Sequence, residues 1–492
     1  MTGLHWIDAV VVACYVMVIL SLGAYAGYRQ RKADEYFVGN RSMNPLLIGV
    51  SMFATLFSTI SFLSTPGEII QNGPAILTGA LTIPLTYFIV SYGIVPIYMR
   101  FKVTSAYELL ESELGLASRV TGALLFIVMR LVWMAALIYF ASDAMMVMLG
   151  LDAKWLPAVT FATGAVAVSY SSLGGMRAVV ITDLLQFLLL FGGALMVVAT
   201  VTFKLGDFSW FPTEWNQSWD TQPLVGSPTV RITVLGTVVH ITLWWICTAG
   251  SDQTAIQRFM ATGNARAARR SFLVNSLAGI AVSVVLALVG FSLLAFYQQD
   301  PAHLGKLTIE KDGDRLFPYF ISHHLPVGVS GLVLSGMFAA AMSSLDSGIN
   351  SITAVVMKDF VERFRTNPLE EARQSRYAKW VSLSIGLGVV LASSLMQHVP
   401  GNFLEISQRT VGLFVPPLFI LFFQALYPRR RSQAGALFGC LASFVVACLV
   451  GLWPGPDGNA LLSFQWILAS SMTVGISIGW LVNLRAASNR VT

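Results

Sequence analysis

Oxygen-bearing side chains are concentrated in one short stretch of an apolar run. The run covers residues 325–357 and is long enough to cross a membrane as a helix. On a helix, Ser343, Asp346 and Ser347 lie at i, i+3 and i+4 and share one face, with the hydroxyl of Ser344 beside them. Hydroxyl, carbonyl and carboxylate oxygens are the ligands that hard cations such as Na⁺ take. The pattern predicts a cation site at bilayer depth.

A structural explanation competes with this prediction. Small residues let two membrane helices approach closely, and serine hydroxyls often bond to their own helix. The serines fit either interpretation. Asp346 favours a functional site, because an acid inside a membrane is costly, and the stretch contains no Lys or Arg that would neutralise it.

The composition indicates a polytopic membrane protein. Of 492 residues, 55% are hydrophobic and 11% are charged, whereas soluble domains carry about 25% charged residues. The cysteines show no metal-ligand spacing, and the apolar runs hold no nucleophile–base pair, so we expect neither a metal centre other than Na⁺ nor an enzyme. The net charge of +6 lies in loops and reports membrane orientation instead of nucleic-acid binding.

The apolar runs predict about 13 transmembrane helices. They lie at residues 7–27, 45–71, 75–98, 119–149, 155–173, 178–203, 232–251, 271–297, 325–357, 378–397, 402–427, 433–453 and 462–484. If the N-terminus lies outside, every long basic cluster falls on the inner side, which the positive-inside rule favours. The sequence therefore predicts an N-out, C-in topology. The outer loops 205–230 and 298–325 are long enough to form surface caps or re-entrant segments.

Two runs that lie five helices apart carry interruption signals. In the second run, a cluster of hydroxyl residues precedes Pro66 and Gly67, and in the seventh, residues 248–251 (TAGS) break the apolar pattern. Interrupted helices at matching positions of two halves are typical of inverted-repeat transporters, whose site lies between the unwound segments. Gly and Pro are also common in ordinary membrane helices, so the signal alone does not decide.

Two further motifs carry charge into or beside apolar runs. Asp183, in the motif SLGGMRAVVITDLLQ, would be a second buried acid, either at a site or paired with a neighbouring helix or with Arg177. In SDQTAIQRFMATGNARAARRS, Asp252 and Arg258 close the inner end of a run. That segment fits either a gate or an ordinary helix end that obeys the positive-inside rule.

These motifs, in this order, resemble the sodium:solute symporter family, which contains sodium/glucose, sodium/proline, sialic acid and monocarboxylate–vitamin symporters. The resemblance runs from Asp34 to about Tyr427. It rests on DEYFVGNRSM, FATLFSTISFLSTPGE, KVTSAYELLE, SLGGMRAVVITDLLQ, SDQTAIQRFMA and AAAMSSLDSGINS. The sequences of the motifs TPGEIIQNGP and LGGMRAVVITDLLQ resemble the monocarboxylate–vitamin branch most.

The resemblance implies an all-α polytopic membrane protein with a LeuT-type 5+5 inverted repeat. The implied divisions are a first accessory helix and cytoplasmic linker (1–44), a first five-helix repeat (45–204), an extracellular loop (205–231), a second, inverted repeat (232–427) and two C-terminal accessory helices with a tail (428–492).

The resemblance also implies two sodium sites. The first comprises backbone carbonyls of the broken helix together with a carbonyl and two hydroxyls of the serine helix: Ala54, Phe57, Ala340, Ser343 and Ser344. A second, present in some members, would use Asp183, Ser343 and Ser347 with Asp346 beside them. A small neutral residue is usual in the family at the position of Asp346, and two carboxylates around one ion would require a protonated acid or a tightly held Na⁺.

For the solute, the resemblance implies residues of the broken helices and two flanking positions: Ser58, Ser61, Ala80, Trp133, Trp245 and Thr248. Sialic acid members place an arginine where Trp133 aligns, and Arg130 lies one turn away. The pocket is poor in hydrogen-bond partners for a polyol, and its tryptophans favour an apolar or planar solute, although such rings also serve as packing residues.

The implied function is Na⁺-coupled symport of a small organic solute of the monocarboxylate, vitamin-like, sugar or sialic acid class, by alternating access in the cell membrane. Proton coupling through Asp346 and a solute sensor with the same fold are the alternatives. The expected partners are the solute and membrane lipid, with no nucleic acid and no obligate protein partner.

Overall fold

The computed structural model describes residues 4–29, 41–101, 104–171, 176–367, 370–398, 402–427, 431–453 and 461–488. The residues outside these ranges include Arg31, Lys32, Lys102, Arg429, Arg430 and Arg490, which belong to the basic clusters that favour the N-out topology. They also include the first seven residues of DEYFVGNRSM, and Gly174 and Gly175 of SLGGMRAVVITDLLQ. The described residues form helices joined by turns and irregular segments, as the all-α prediction requires.

Helices make up most of the described residues. In chain order they are α1 (Trp6–Arg29), α2 (Pro45–Leu56), α3 (Thr59–Gln71), α4 (Pro74–Phe101), α5 (Tyr107–Leu114), α6 (Leu116–Leu149), α7 (Leu156–Ser171), α8 (Met176–Leu205), α9 (Val234–Ser251), α10 (Gln253–Met260), α11 (Ala265–Gln299), α12 (Gly313–His323), α13 (Val329–Glu362), α14 (Glu371–Ser393), α15 (Phe403–Gly412), α16 (Val415–Leu426), α17 (Gln433–Leu452) and α18 (Ile467–Ser488). Within α4, residues 74–82 are wound as a 3₁₀ helix and 89–94 as a π helix, and α13 ends in a π-helical turn.

Each of the thirteen predicted apolar runs contains a helix. Among the described residues, ten helices are long and apolar enough to cross a membrane, and the bent pair α2–α3 would make an eleventh. The helix α7 and the apolar part of α1 are shorter. The total of thirteen spans and the N-out orientation therefore stay predictions.

The second predicted span is broken, as its hydroxyl cluster indicated. Helices α2 and α3 meet at an angle of 64°. Between them, Phe57 (ψ 114°) and Ser58 (ψ 173°) have extended backbone. Asn44 caps α2 through a bond from the amide of Leu46, and Pro45 occupies the first helical position, where its missing N–H costs nothing. The break therefore has a well-formed helix on each side.

The prediction that residues 248–251 interrupt the helix is wrong, because α9 stays helical through Ser251. The hydroxyl of Ser251 donates to the carbonyl of Cys247 in the same helix at 2.8 Å. Gly250 lies so close to the ring of Phe419 that a Cβ on this residue would be 2.7 Å from the ring. These residues thus serve close packing. The chain breaks one residue later at Asp252 (ψ 117°), whose carboxylate caps α10.

The serine-rich helix α13 lies at the centre of the bundle. It is the most buried of the ten spans, with 89% of its apolar window enclosed, and it packs against α2, α6 and α8. Gly336 permits the approach of α8, because a Cβ there would lie 2.9 Å from the carbonyl oxygen of Leu189. A central position explains why this helix can bury polar residues.

The long outer loops lie over one end of the bundle, which we call the outer end after the predicted orientation. The segment that follows α8 is irregular and folds back on α4, where the amide of Ala75 donates to Gln222 at 2.8 Å. The later loop contains α12, which packs against α3. The inner segment 358–379 is helical up to Glu362 and again from Glu371, and the described residues between these points, 363–367 and Glu370, are not helical.

Candidate ion and solute site

The carboxyl end of α2 presents backbone oxygens at the break. The last carbonyls of a helix have no donor within the helix and carry its negative dipole end, which favours cations. The carbonyl of Phe53 accepts the amide of Phe57 at 2.7 Å, and the carbonyl of Thr55 accepts the hydroxyl of Ser344 at 3.0 Å. The side chain of Ser344 therefore joins the central helix to the broken one.

Two more bonds connect α13 to the same break. The hydroxyls of Thr55 and Ser347 lie 2.7 Å apart, and the hydroxyl of Thr59 donates to the carbonyl of Met337 at 3.2 Å. Of the residues predicted for the first sodium site, Ala54, Ala340, Ser343 and Ser344 are buried and Phe57 is half-buried. The structure thus brings together the two elements that the first site requires.

Asp183 on α8 is fully buried and lies against both elements. Its two carboxylate oxygens accept the hydroxyls of Ser343 and Ser51, each at 2.5 Å. Ser343 was predicted to serve both sodium sites, and its hydroxyl here binds Asp183. Asp346, also predicted for the second site, is buried on α13.

A buried arginine lies at the position predicted for the second ion. Arg258 on α10 is only 1% exposed. One nitrogen of its guanidinium lies 3.7 Å from a carboxylate oxygen of Asp183 and donates to Ser347 at 2.6 Å and to Thr55. Its Nε donates to Ser51 at 3.2 Å. Two of the four residues predicted for the second ion, Asp183 and Ser347, therefore already contact a cation.

This role of Arg258 was not predicted, because its motif indicated only a gate or an ordinary helix end. The cation beside Asp183 comes from α10, which is the alternative in which this acid pairs with a neighbouring helix. Asp183 and Arg258 are separated by 75 residues, so no local spacing connects them. The available signal was the motif SDQTAIQR, in which a capping acid precedes a short helix that carries an arginine.

A cavity of about 230 Å³ lies beside the break. Four residues predicted for the solute line it: Ser61, Ala80, Trp133 and Trp245. The other two, Ser58 and Thr248, are buried but are not among the described lining residues. The cavity and the first sodium site share the break, since Phe57 also lines the cavity.

The described cavity lining contains no Asp, Glu, Lys or Arg. Arg130, one turn from Trp133, forms a buried ion pair with Asp252 instead. Asn275 on α11, which the sequence analysis did not single out, lines the cavity. Polar atoms at the wall therefore come from hydroxyl, amide and indole groups.

Ion pairs connect the helices at the outer end. Arg231 donates to Glu68 on α3 and to Glu405 on α15, both at 2.6 Å. Nearby, the backbone amide of Phe403 donates to the buried carboxylate of Asp314 at 2.8 Å. Burial raises the pKa of Asp314 to about 7.

The inner end is also connected by buried bonds. The hydroxyl of Tyr98 donates to the carbonyl of Gly250 at 2.6 Å, and Arg119 pairs with Asp359 at 2.6 Å.

Comparisons with known proteins show which family the chain belongs to. Residues 36–443 match the sodium:solute symporter family. A sodium/sialic acid symporter of Proteus mirabilis is 27% identical over 96% of this chain and 94% of its own. The sodium-coupled monocarboxylate transporter 1 of Mus musculus is 28% identical over 90% of this chain and 73% of its own. These identities are nearly equal and do not separate the branches of the family.

Solved structures show the same fold. A Na⁺-coupled sialic acid symporter in a substrate-bound, outward-open state superposes with a TM-score of 0.82, at 25% identity and with 97% of each chain covered. Mhp1, a nucleobase-cation-symport transporter, superposes with a TM-score of 0.60 at 11% identity, with 92% of this chain and 95% of its own covered. At that identity the likeness shows the fold alone. The chain therefore belongs to the sodium:solute symporter family and is a Na⁺-coupled transporter, not an enzyme.

Proposed function

We propose that the protein imports a small organic solute together with Na⁺ by alternating access, with the ion bound at the first site. That site comprises Ala54, Phe57, Ala340, Ser343 and Ser344. The bond between Ser344 and the carbonyl of Thr55 carries the proposal, because it joins a carbonyl at the end of α2 to a hydroxyl of α13 beside the break. Both groups are ligands that Na⁺ accepts.

The ion and the solute are coupled because both bind at the break between α2 and α3. Na⁺ would bridge the end of α2 to α13, and α3 begins directly beyond the break. Ser61 in the first turn of α3 and Phe57 in the break both line the solute cavity. An ion that fixes the break therefore fixes one wall of the cavity, and loss of the ion to the inner side loosens that wall.

The membrane potential supplies the work. Moving one charge across 100 mV is worth about 2.3 kcal/mol, so one Na⁺ concentrates a neutral solute roughly 50-fold before any Na⁺ gradient is counted.

The second sodium site predicted at Asp183, Ser343, Asp346 and Ser347 stays a prediction. Arg258 supports a different stoichiometry, because its guanidinium already pairs with Asp183 and bonds Ser347. We infer that one Na⁺ moves per solute and that a second ion binds only when the side chain of Arg258 no longer contacts Asp183 and Ser347.

Proton coupling through Asp346 is the competing mechanism. The buried acids of the spans favour it, whereas the pairing of Asp183 with Arg258 disfavours it for that carboxylate. Replacing Na⁺ by choline at constant pH separates the two mechanisms, because only a sodium-coupled protein loses ion-dependent stabilisation.

The test compares two serine variants of α13 in purified protein. Ser344→Ala removes the bridging hydroxyl, whereas Ser335→Ala removes an equally buried hydroxyl that bonds its own helix at Gly331. At a Na⁺ concentration 100 times Kd, binding stabilises the folded state by about 2.7 kcal/mol. We expect thermal melts in NaCl and choline chloride to show this stabilisation in wild type and Ser335→Ala and not in Ser344→Ala.

Equilibrium binding of radioactive Na⁺ gives the matching readout. A wild-type Na⁺ response in Ser344→Ala would show that the site is assigned to the wrong residues. Failure of the wild-type protein to respond to Na⁺ would refute the proposed function itself.

A further inference from the structure

The wall of the solute cavity contains an asparagine with unused hydrogen-bonding capacity. Asn275 is 1% exposed, and neither its amide nitrogen nor its carbonyl oxygen has a partner among the described residues. A buried amide without partners is unfavourable, and folded proteins satisfy almost all such groups. Because Asn275 lines the cavity, a ligand bound there can satisfy it.

A second group at the same wall has the same property. The indole nitrogen of Trp133 is buried without a hydrogen-bond acceptor in the part of the chain that the structure describes, and Trp133 also lines the cavity. Together, the two side chains offer two kinds of N–H donor and one carbonyl acceptor. A complementary solute must present carbonyl oxygen and at least one N–H or O–H group.

The charges around the cavity disfavour an anion. No described lining residue is basic, and the nearby Arg130 is held by Asp252. A carboxylate could accept bonds from the amide nitrogen of Asn275, but its other oxygen would face the carbonyl oxygen of the same side chain. The amino end of α3, which attracts anions, can equally donate to an uncharged carbonyl group.

We propose that the cavity selects an uncharged solute bearing a carboxamide-type group, and that Asn275 pairs with this group through one donated and one accepted hydrogen bond. The volume of about 230 Å³ lies below the usual 300–1,000 Å³ of ligand pockets, so the solute is small. Trp133, Trp244 and Trp245 provide flat apolar walls for the remainder of the molecule.

The inference rests on the proposed function, since it takes this cavity to be the solute site. The test uses full-length protein in NaCl and two matched pairs of probes, benzamide with benzoate and propionamide with propionate. Within each pair only the polar group differs. We expect the amide of at least one pair to bind at least about tenfold more tightly than its acid, measured by equilibrium binding and thermal shift.

Variants of α11 assign the effect to Asn275. Asn275→Leu has a similar size without the amide, and it should weaken amide binding at least about tenfold while leaving the Na⁺-dependent stabilisation intact. Ser292→Ala is the control, because Ser292 is buried on the same helix outside the described cavity lining and its hydroxyl bonds Val289 of its own helix at 3.0 Å. It should bind the amide within about threefold of wild type.

Three results would overturn the inference. They are tighter binding of either acid than of its amide, unchanged amide binding in Asn275→Leu, and absence of binding of both amides to a protein that Na⁺ still stabilises. The last result leaves the proposed function in place. Loss of the Na⁺ response in wild type refutes the proposed function, whatever the probes show.

Discussion

Replacing Arg258 by methionine should destabilise the protein strongly, because it leaves the Asp183 carboxylate buried without its cation. The two side chains are 1% and 0% exposed, so water cannot solvate the remaining charge. Removing one partner of a buried ion pair costs about 3–5 kcal/mol. The variant also loses bonds to Ser51, Thr254 and Ser347. We therefore expect the free energy of unfolding to fall by about 3–5 kcal/mol.

A second substitution isolates the charge interaction. Asp183→Asn alone leaves Arg258 buried without its anion, and the double variant removes both charges. If the two groups interact, the double variant loses less stability than the sum of the single variants, by about 1–3 kcal/mol. The free energies come from unfolding by sodium dodecyl sulfate in mixed micelles, followed by tryptophan fluorescence, with potassium replacing Na⁺ in all samples.

Restoring Na⁺ then tests the stoichiometry. In Arg258→Met, Asp183 with the hydroxyls of Ser343 and Ser347 is free to hold an ion, so Na⁺ should recover part of the lost stability and the Hill coefficient for Na⁺ should rise from about one towards two. If the stability lost in the double variant equals the sum of the losses in the two single variants, Arg258 does not pair with Asp183. A wild-type Hill coefficient near two would refute the one-ion proposal.

Further predictions concern the outer end. Burial raises the pKa of Asp314 from 3.8 to about 7, so the folded state binds this proton more tightly than the unfolded state does. The contribution to stability is complete below pH 3.8 and is lost as the pH rises through about 7, and thermal melts should show that Asp314→Asn flattens this dependence. Arg231→Gln should lower the free energy of unfolding by about 3 kcal/mol, because Glu68 is 1% exposed and loses its cation. Arg315→Gln should lower it by less than about 1 kcal/mol, because Arg315 is 48% exposed. Equal losses in the two arginine variants would contradict this difference in burial.

Much of the architecture could be predicted from local sequence patterns. Apolar runs of about 20 residues must be helical in a membrane, since the backbone has no other partner there. The break at Phe57 and Ser58 was predicted from a hydroxyl cluster followed by Pro66 and Gly67. Pro66 itself lies inside α3, so the prediction located the interrupted span correctly although the proline is not the point of interruption.

The second break shows where such patterns fail. Residues 248–251 have the composition of a helix breaker, yet Gly250 lets the ring of Phe419 approach and Ser251 bonds its own helix. The tertiary partner decides between a packing glycine and a hinge glycine, and that partner is far away in the sequence. Asp252 ends the helix because its side chain accepts the amide of Thr254 at the start of α10.

The pairing of Asp183 with Arg258 has a consequence for release of the transported ion. A carboxylate without a partner beside the first site would bind Na⁺ tightly, and an ion held that way would leave slowly on the inner side. Arg258 satisfies the carboxylate, so the ligands left for Na⁺ are the carbonyls of the break and the hydroxyls of α13, which carry no net charge. Transport requires binding strong enough for entry and weak enough for exit. A buried arginine beside a neutral oxygen cage meets both requirements, and on this basis we expect the Na⁺ affinity to increase when Arg258 is replaced.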